Sequence, residues 1–212
     1  MDREARRPPI AREGWGFVAG LLLLAAFSAA LGGWTWAGLF LLLGCGVAAF
    51  FRDPDRKAPE DPRAVAAPAD GRVVAIDPGE AGGRIIRIFL SVFNVHINRS
   101  PVSGVIRATR HREGKFLAAF RESASRVNEQ NTLDISTPSG ENFRVVQIAG
   151  LLARRIVCWV KEGDPLRAGD RIGLIQFGSR TDLHLPPGYE VLVEVGSKVR
   201  GGETIVARPT QG

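Results

Sequence analysis

Two segments in the C-terminal third of the chain decide the fold prediction: Gly163–Ile172, with the sequence GDPLRAGDRI, and Gly196–Ile205, with the sequence GSKVRGGETI. They match position by position, and both have glycine at the first and seventh positions. Each segment is typical of a turn, a short exposed stretch, a second turn at glycine and a strand. This internal repeat predicts a domain assembled from turns and short strands.

The remainder of the chain after the N-terminal segment also predicts short strands. The predicted strands are Arg72–Asp77, Arg84–Val92, Gly104–Arg110, Thr132–Ser136, Phe143–Ala149 and Arg155–Val160. The paired turns resemble the hammerhead hairpins of biotinyl/lipoyl carrier domains, in which two sheets of short strands wrap together. Neither hairpin carries an attachment lysine flanked by Met or Asp, so the resemblance concerns the fold alone. We therefore predict a mainly β, barrel-sandwich-like domain over residues 58–212.

The N-terminal part carries no charged residue from Gly14 to Phe51. Its two apolar runs, Phe17–Leu31 and Ala37–Phe51, flank a Gly-Gly pair. One continuous helix would be about 57 Å long, nearly twice the hydrocarbon core of about 30 Å. We therefore predict an α-helical membrane hairpin with its linker over residues 1–57. The alternative is a buried helical pair inside a soluble protein.

Charge flanking the hairpin indicates its orientation. Arginines precede the hairpin at positions 3, 6, 7 and 12, and basic residues follow it at positions 52, 56 and 57. The positive-inside bias places both ends in the cytoplasm, so domain 58–212 is expected on the cytoplasmic face of the cell membrane. The formal net charge of +6 suits an anionic membrane surface. No basic-aromatic motif indicates nucleic acid as a partner.

The dipeptide Gly178-Ser179, within Phe177–Arg180, follows an apolar run. A serine hydroxyl can attack the preceding carbonyl carbon and convert that amide into an ester, which glycine permits because it has no Cβ. Elimination from the ester then cuts the chain and leaves an N-terminal pyruvoyl group, an electrophilic carbonyl that acts as a Schiff-base cofactor does. The alternative is an ordinary turn, which is the interpretation of Gly196-Ser197.

One of the three histidines stands out. His96 ends an apolar strand and enters a polar turn, a place where scaffolds present functional side chains. Asp70 lies in another turn, Pro68–Gly71. Together Asp70, His96 and Ser179 supply an orienting group, a base and a nucleophile. The alternatives are a turn role for Asp70 and a structural role for His96.

Five motifs make the chain similar to the phosphatidylserine decarboxylases, most closely to their short prokaryotic branch. In chain order they are Phe50–Pro54, Ala67–Gly71, Phe93–Arg99, Asn128–Asn131 and Phe177–Arg180. The long-branch pattern differs in having Leu before the Gly-Ser pair, Thr after it, and a second histidine where this chain has Phe93. A role for that extra histidine is therefore not carried over.

The resemblance implies a self-cleaving enzyme. Cleavage between Gly178 and Ser179 would give a β subunit of residues 1–178 and an α subunit of residues 179–212 that begins with pyruvoyl. Asp70, His96 and Ser179 would form the processing triad. The enzyme would decarboxylate the serine head group of a phospholipid at the membrane through a Schiff base to the pyruvoyl group, releasing the ethanolamine lipid. Arg99 and Arg180 are candidates for holding the carboxylate or phosphate.

No second cofactor is expected. The sequence has no Cys/His set spaced for zinc, and no lysine lies in a recognisable pyridoxal phosphate motif. Three alternatives stay open: an archaetidylserine-type decarboxylase of ether lipids, a serine hydrolase that uses the same triad without cutting itself, and a membrane-tethered carrier-like binding module.

Overall fold

The computed structural model of the chain describes residues 8–114, 127–150, 155–176 and 179–210. It divides into two compact units, Met1–Asp55 and Arg56–Gly212. The first unit is helical and the second is built from strands, so the predicted fold class is confirmed. The functional division at residue 57, into a membrane anchor and an enzyme domain, stays a prediction.

The N-terminal unit is a pair of apolar helices, α1 (Arg12–Ala30) and α2 (Trp34–Phe50). The turn between them uses Gly32 at φ +78°, a conformation that glycine adopts without a steric penalty. Glycine also permits close contact at the other end of the pair, because a Cβ on Gly14 would lie 2.6 Å from Phe51. Helix α1 has 19 residues and is, by length and composition, long and apolar enough to cross a membrane. Helix α2 is apolar but shorter, with 17 residues.

The second unit contains fourteen strands within its described residues. They are β1 (Val65–Ala66), β2 (Gly71–Pro78), β3 (Arg84–Leu90), β4 (Ile97–Arg99), β5 (Gly104–Arg112), β6 (Gln130–Ser136), β7 (Asn142–Ala149), β8 (Ile156–Cys158), β9 (Pro165–Leu166), β10 (Arg171–Ile175), β11 (Ser179–Leu185), β12 (Tyr189–Val191), β13 (Lys198–Val199) and β14 (Ile205–Pro209). The predicted strands thus appear close to their expected bounds, and β6 and β7 pair antiparallel as consecutive strands.

These strands form three antiparallel sheets. The largest has the order β13-β2-β3-β11-β7-β6-β5-β9, and two three-stranded sheets have the orders β1-β14-β12 and β4-β10-β8. Successive side chains of a strand point to opposite faces, and the apolar set on one face of the large sheet is fully buried. Its members include Ile86, Ile88, Leu133, Ile135, Val145 and Leu183.

The large sheet is internally repeated, with the same spacing along the chain as the repeat found in the sequence. Strand β2 begins at Gly71 and β5 begins at Gly104, and both are irregular at the same place, between Val73 and Ala75 and between Ile106 and Ala108. Strands β9 and β13, which begin at equivalent positions of the two sequence segments, pair with β5 and β2 at the two edges. The sheet therefore consists of two equivalent halves, β13-β2-β3-β11 and β9-β5-β6-β7, which meet where β11 pairs with β7.

The hairpin turns follow the same repeat. Val73 donates a backbone hydrogen bond to Ser197 at 2.9 Å, and Ile106 donates the equivalent bond to Asp164 at 3.0 Å. Both copies need glycine where the backbone has positive φ. These positions are Gly163 (+88°), Gly169 (+83°), Gly196 (+98°) and Gly202 (+77°). The repeat is thus a property of backbone geometry, and the turn prediction for Gly196-Ser197 is confirmed.

Candidate active site

Ser179 is the first residue of β11, in the middle of the large sheet. It pairs with Leu90 of β3 on one side and with Ala149 of β7 on the other. Its side chain is fully buried, and its Oγ has no hydrogen-bond partner among the described residues. Gly178, the other half of the predicted cleavage site, lies outside the described residues. Ser179 is therefore held by strands on both sides, and none of the described residues forms a hydrogen bond with its hydroxyl.

His96 lies between β3 and β4 and is fully buried. The preceding turn is fixed by the Asn94 side chain, whose Oδ1 accepts hydrogen bonds from the N–H of Ser91 at 2.9 Å and from its hydroxyl at 2.7 Å. The Asn94 carbonyl oxygen in turn lies 3.0 Å from His96 Nδ1. A carbonyl oxygen can only accept, so Nδ1 carries a proton, and whenever the ring is neutral its basic nitrogen is Nε2. This is the tautomer that a general base requires.

Backbone pairing brings His96 to the end of β10. The Ile175 N–H donates to the His96 carbonyl at 3.2 Å, and Ile175 precedes Ser179 by four positions in the chain. Strand β11 begins at Ser179 and pairs with β3, so that Ser179 lies opposite Leu90, the last residue of β3. From Leu90 the chain continues into the turn that precedes His96. The topology therefore places His96 and Ser179 at the same end of the fold.

Asp70 has contacts other than those predicted for it. Its Oδ1 accepts the Gly201 backbone N–H at 2.8 Å, and its Oδ2 pairs with Arg56 at 2.8 Å. Arg56 also reaches Glu203 at 3.0 Å. Both carboxylate oxygens of Asp70 thus have partners in the described structure, Gly201 and Arg56. The contact of the His96 Nδ1 atom is with the Asn94 carbonyl, and an orienting role of Asp70 toward His96 stays a prediction.

The internal repeat explains one of the two Asp70 contacts. Ser103, the residue equivalent to Asp70 in the repeat, accepts the Ala168 backbone N–H at 3.0 Å through its Oγ, as Asp70 accepts that of Gly201. One Asp70 oxygen therefore closes a hammerhead turn, which is the role that short polar side chains commonly take. The feature particular to Asp70 is its second oxygen, which is bound to Arg56. A catalytic role for Asp70 stays a prediction.

A chain of buried amides lies next to these residues. Asn131 donates to Gln147 Oε1 at 2.9 Å, and Gln147 Nε2 donates to Asn98 Oδ1 at 2.8 Å. Gly173 makes room for it, because a Cβ there would lie 3.0 Å from Gln147 Nε2. These amides were not among the residues predicted to act in the site. The sequence feature that could have revealed them is a polar residue in a strand at a position whose neighbours on the same face are apolar.

The opposite face of β11 carries a buried ion pair. Arg180 binds Asp182 through two hydrogen bonds, at 2.7 Å and 3.0 Å. Burial raises the pKa of the Asp182 carboxyl above its ordinary value, although Arg180 opposes that rise. Arg99, the other candidate for an anionic group, donates to the Gly169 carbonyl at 3.0 Å. Both guanidinium groups therefore have contacts within the fold.

The two other histidines lie apart from this cluster. His184 is on the Asp182 face of β11, where burial lowers its pKa and the charge of Arg144 lowers it further. His111 lies on β5, with Nε2 at 3.7 Å from Glu129. Across the described ranges, no group of three or more His, Cys, Asp and Glu residues could hold a metal ion. Of the three histidines, His96 is the one that lies at the same end of the fold as Ser179.

Comparison with known proteins defines the class. A family model described as phosphatidylserine decarboxylase matches residues 46–207, a range that contains Asp70, His96 and Ser179. The match therefore extends over nearly the whole strand-built unit.

Individual relatives agree with the family match over almost the full chain. The phosphatidylserine decarboxylase proenzyme of Burkholderia vietnamiensis is 47% identical over 209 residues, covering 96% of this chain and 98% of the relative. That of Nitrosomonas europaea is 48% identical over 207 residues, covering 94% and 95%. The chain belongs to the phosphatidylserine decarboxylase family, which confirms the resemblance found in the sequence, and it is an enzyme of the decarboxylase class.

Proposed function

We propose that this chain converts phosphatidylserine to phosphatidylethanolamine by means of a pyruvoyl group that it makes from Ser179. The observation that carries the proposal is the buried Ser179 Oγ, which has no partner among the described residues and starts a strand held on both sides. The relatives are named proenzymes, and cleavage of a precursor at Gly178-Ser179 fits that name. A carbonyl formed at residue 179 would lie in the same buried polar surroundings.

The processing step uses groups of the chain itself. Ser179 Oγ attacks the Gly178 carbonyl carbon, and its proton passes to His96 Nε2, which the Nδ1–H contact with Asn94 leaves as the basic nitrogen. The bond between the Gly178 carbonyl carbon and the Ser179 nitrogen then breaks, and the nitrogen becomes an amine that takes the proton back from His96. The resulting ester undergoes elimination, which releases the Gly178 carboxylate and leaves a dehydroalanine at residue 179. Water then replaces its nitrogen, giving pyruvoyl and ammonia. Asp70 acts on this step indirectly, by fixing the turn at Gly201 and the side chain of Arg56.

The pyruvoyl carbonyl, once formed, supplies an electron sink for the pair of electrons left behind when the substrate loses CO₂. The chain must then orient the head group, exclude water and return a proton to the substrate carbon. We assign that return of a proton to His96, which lies at the same end of the fold as Ser179 and is the general base of the processing step.

A non-cleaving serine hydrolase is the less favoured candidate. A hydrolase triad needs a carboxylate on the Nδ1–H of its histidine. In this structure the Asn94 carbonyl has that position, and Asp70 is paired with Arg56.

Carbonyl reagents test the cofactor. Hydroxylamine, or borohydride added with substrate, is expected to reduce activity to background and to label residue 179 on the small subunit. Chelators are expected to leave activity unchanged, and added pyridoxal phosphate should not increase it. A borohydride label on a lysine of the large subunit, or loss of activity with a chelator, would contradict the pyruvoyl assignment.

We also propose that both N-terminal helices cross the cell membrane and that the strand-built unit lies on its cytoplasmic face. The support is the apolar surface of the helices, where Leu23 and Leu42 are 72% and 70% exposed, together with the basic residues on both flanks. Reporter fusions at Gly33 are expected to report the outside and fusions at Gly212 the cytoplasm. Reports from the same side at both positions would contradict two crossings.

A further inference from the structure

Two polar atoms beside Ser179 are buried and have no partner in the described structure: Asn98 Nδ2 and Thr181 Oγ1. Both residues are fully buried. A buried polar group without a hydrogen bond costs stability, so native proteins satisfy almost all of them. Two such groups next to the proposed reactive residue indicate a site that a ligand completes.

The backbone places these atoms at one end of the interior. Ser179 and Thr181 are two apart on β11, so their side chains share its inward face. Thr181 pairs directly with Gln147 on β7, and Gln147 is the residue that contacts Asn98. Asn98 lies two positions after His96 in the chain. Asn98 and Thr181 are therefore neighbours of the proposed nucleophile and of its base.

The amide chain fixes which end of Asn98 is open. Asn131 donates to the Gln147 oxygen, so the Gln147 nitrogen faces Asn98 and donates to its oxygen. The Asn98 nitrogen is then the open end, and an amide nitrogen only donates. The Thr181 hydroxyl can donate as well. Two uncharged hydrogen-bond donors that have no partner among the described residues suit a ligand that accepts through negatively charged oxygens.

We propose that Asn98 Nδ2 and Thr181 Oγ1 bind the carboxylate of the serine head group, with Gln147 and Asn131 as positioning residues; this inference rests on the proposed function. The chemistry favours neutral donors. The carboxylate loses its negative charge as CO₂ departs, so a cation would stabilise the bound substrate more than the transition state. The two buried arginines nearby are held by Gly169 and by Asp182 instead.

The sharpest variant is Asn98→Asp. It keeps the side-chain size and the oxygen that accepts from Gln147, and it replaces the open donor with an acceptor that repels a carboxylate. We expect normal self-cleavage but a fall of about 10- to 100-fold in kcat/KM for phosphatidylserine, the effect of losing a hydrogen bond to a charged group. The inhibition constant of phosphatidylethanolamine, which lacks the carboxylate, should stay unchanged. The inhibition constant is an equilibrium constant for binding, so a lower kcat alone does not change it.

Thr181→Val gives a second test that does not rely on the folding of Asn98→Asp. It keeps the shape and removes the hydroxyl, and we expect kcat/KM for phosphatidylserine to fall about 10-fold. As for Asn98→Asp, the inhibition constant of phosphatidylethanolamine should stay unchanged. Its matched control is Thr132→Val, the same change on the outward face of β6, which should leave both constants unaltered. Gln147→Met tests positioning: it should weaken phosphatidylserine binding and leave that of phosphatidylethanolamine unchanged.

Two results would overturn the inference. One is an unchanged ratio of substrate to product affinity in both Asn98→Asp and Thr181→Val. The other is slow self-cleavage with unchanged selectivity in the cleaved fraction, which would place Asn98 at the Gly178 carbonyl. Failure of the proposed function is distinguishable, because the unmodified protein itself would then be uncut or would not decarboxylate phosphatidylserine.

Discussion

Ser179→Ala is expected to accumulate as one uncut chain of 22.9 kDa with decarboxylase activity at background. No hydroxyl remains to attack the Gly178 carbonyl, and without cleavage no pyruvoyl group forms. The fold should survive, because the Ser179 hydroxyl has no partner among the described residues, and its removal leaves no new unpaired group. We expect the free energy of unfolding to change by less than about 1 kcal/mol. Denaturing gels, a decarboxylation assay and thermal unfolding measure the three effects.

The chain supplies its own control in Ser197, which also follows a glycine. Its Oγ accepts the Glu194 backbone N–H at 3.1 Å, within a turn where Gly196 has φ +98°. Ser197→Ala should therefore cut normally and retain activity. A Ser179→Ala chain that is still cut at the same bond would show that another nucleophile does the work.

His96→Ala is expected to slow self-cleavage by at least about 100-fold, the usual contribution of a positioned general base. The measurement is a time course of precursor disappearance after synthesis. Any cleaved fraction should also decarboxylate slowly, because the same ring returns the proton to the product. His111→Ala is the matched control, since its ring is about half exposed on β5, and should cut at the normal rate. Rapid and complete cutting of His96→Ala would remove His96 from the role of base.

The fold was predictable where the signal is local. The glycines of Gly163–Ile172 and Gly196–Ile205 mark backbone conformations with positive φ, and such requirements are visible in a sequence. The other half of the repeat was less visible. Ala67–Val73 and its partner Ser100–Ile106 share only the proline and the glycine at equivalent positions. Their equivalence became clear from hydrogen bonds and matching irregularities in β2 and β5.

The sequence allowed the candidate residues of the site to be selected, but it did not allow the contacts between them to be predicted. Ser179 and His96 stand out because their motifs are specific. The partner of Asp70 was missed because Arg56 lies in what reads as a charged linker, and long-range ion pairs leave no local pattern. The amides of Asn98 and Gln147 were missed for a similar reason, since their burial depends on which strands become neighbours.

The central claim, that Ser179 becomes a pyruvoyl group, is tested most directly by intact-mass spectrometry of the purified protein. The proposed chemistry predicts two species, residues 1–178 and residues 179–212, with the smaller one lighter by one ammonia than the same fragment made by simple hydrolysis. Its N-terminus should resist Edman degradation, because it carries no amine. A single species at the mass of the whole chain, or a small fragment with an intact N-terminal serine, would contradict the account.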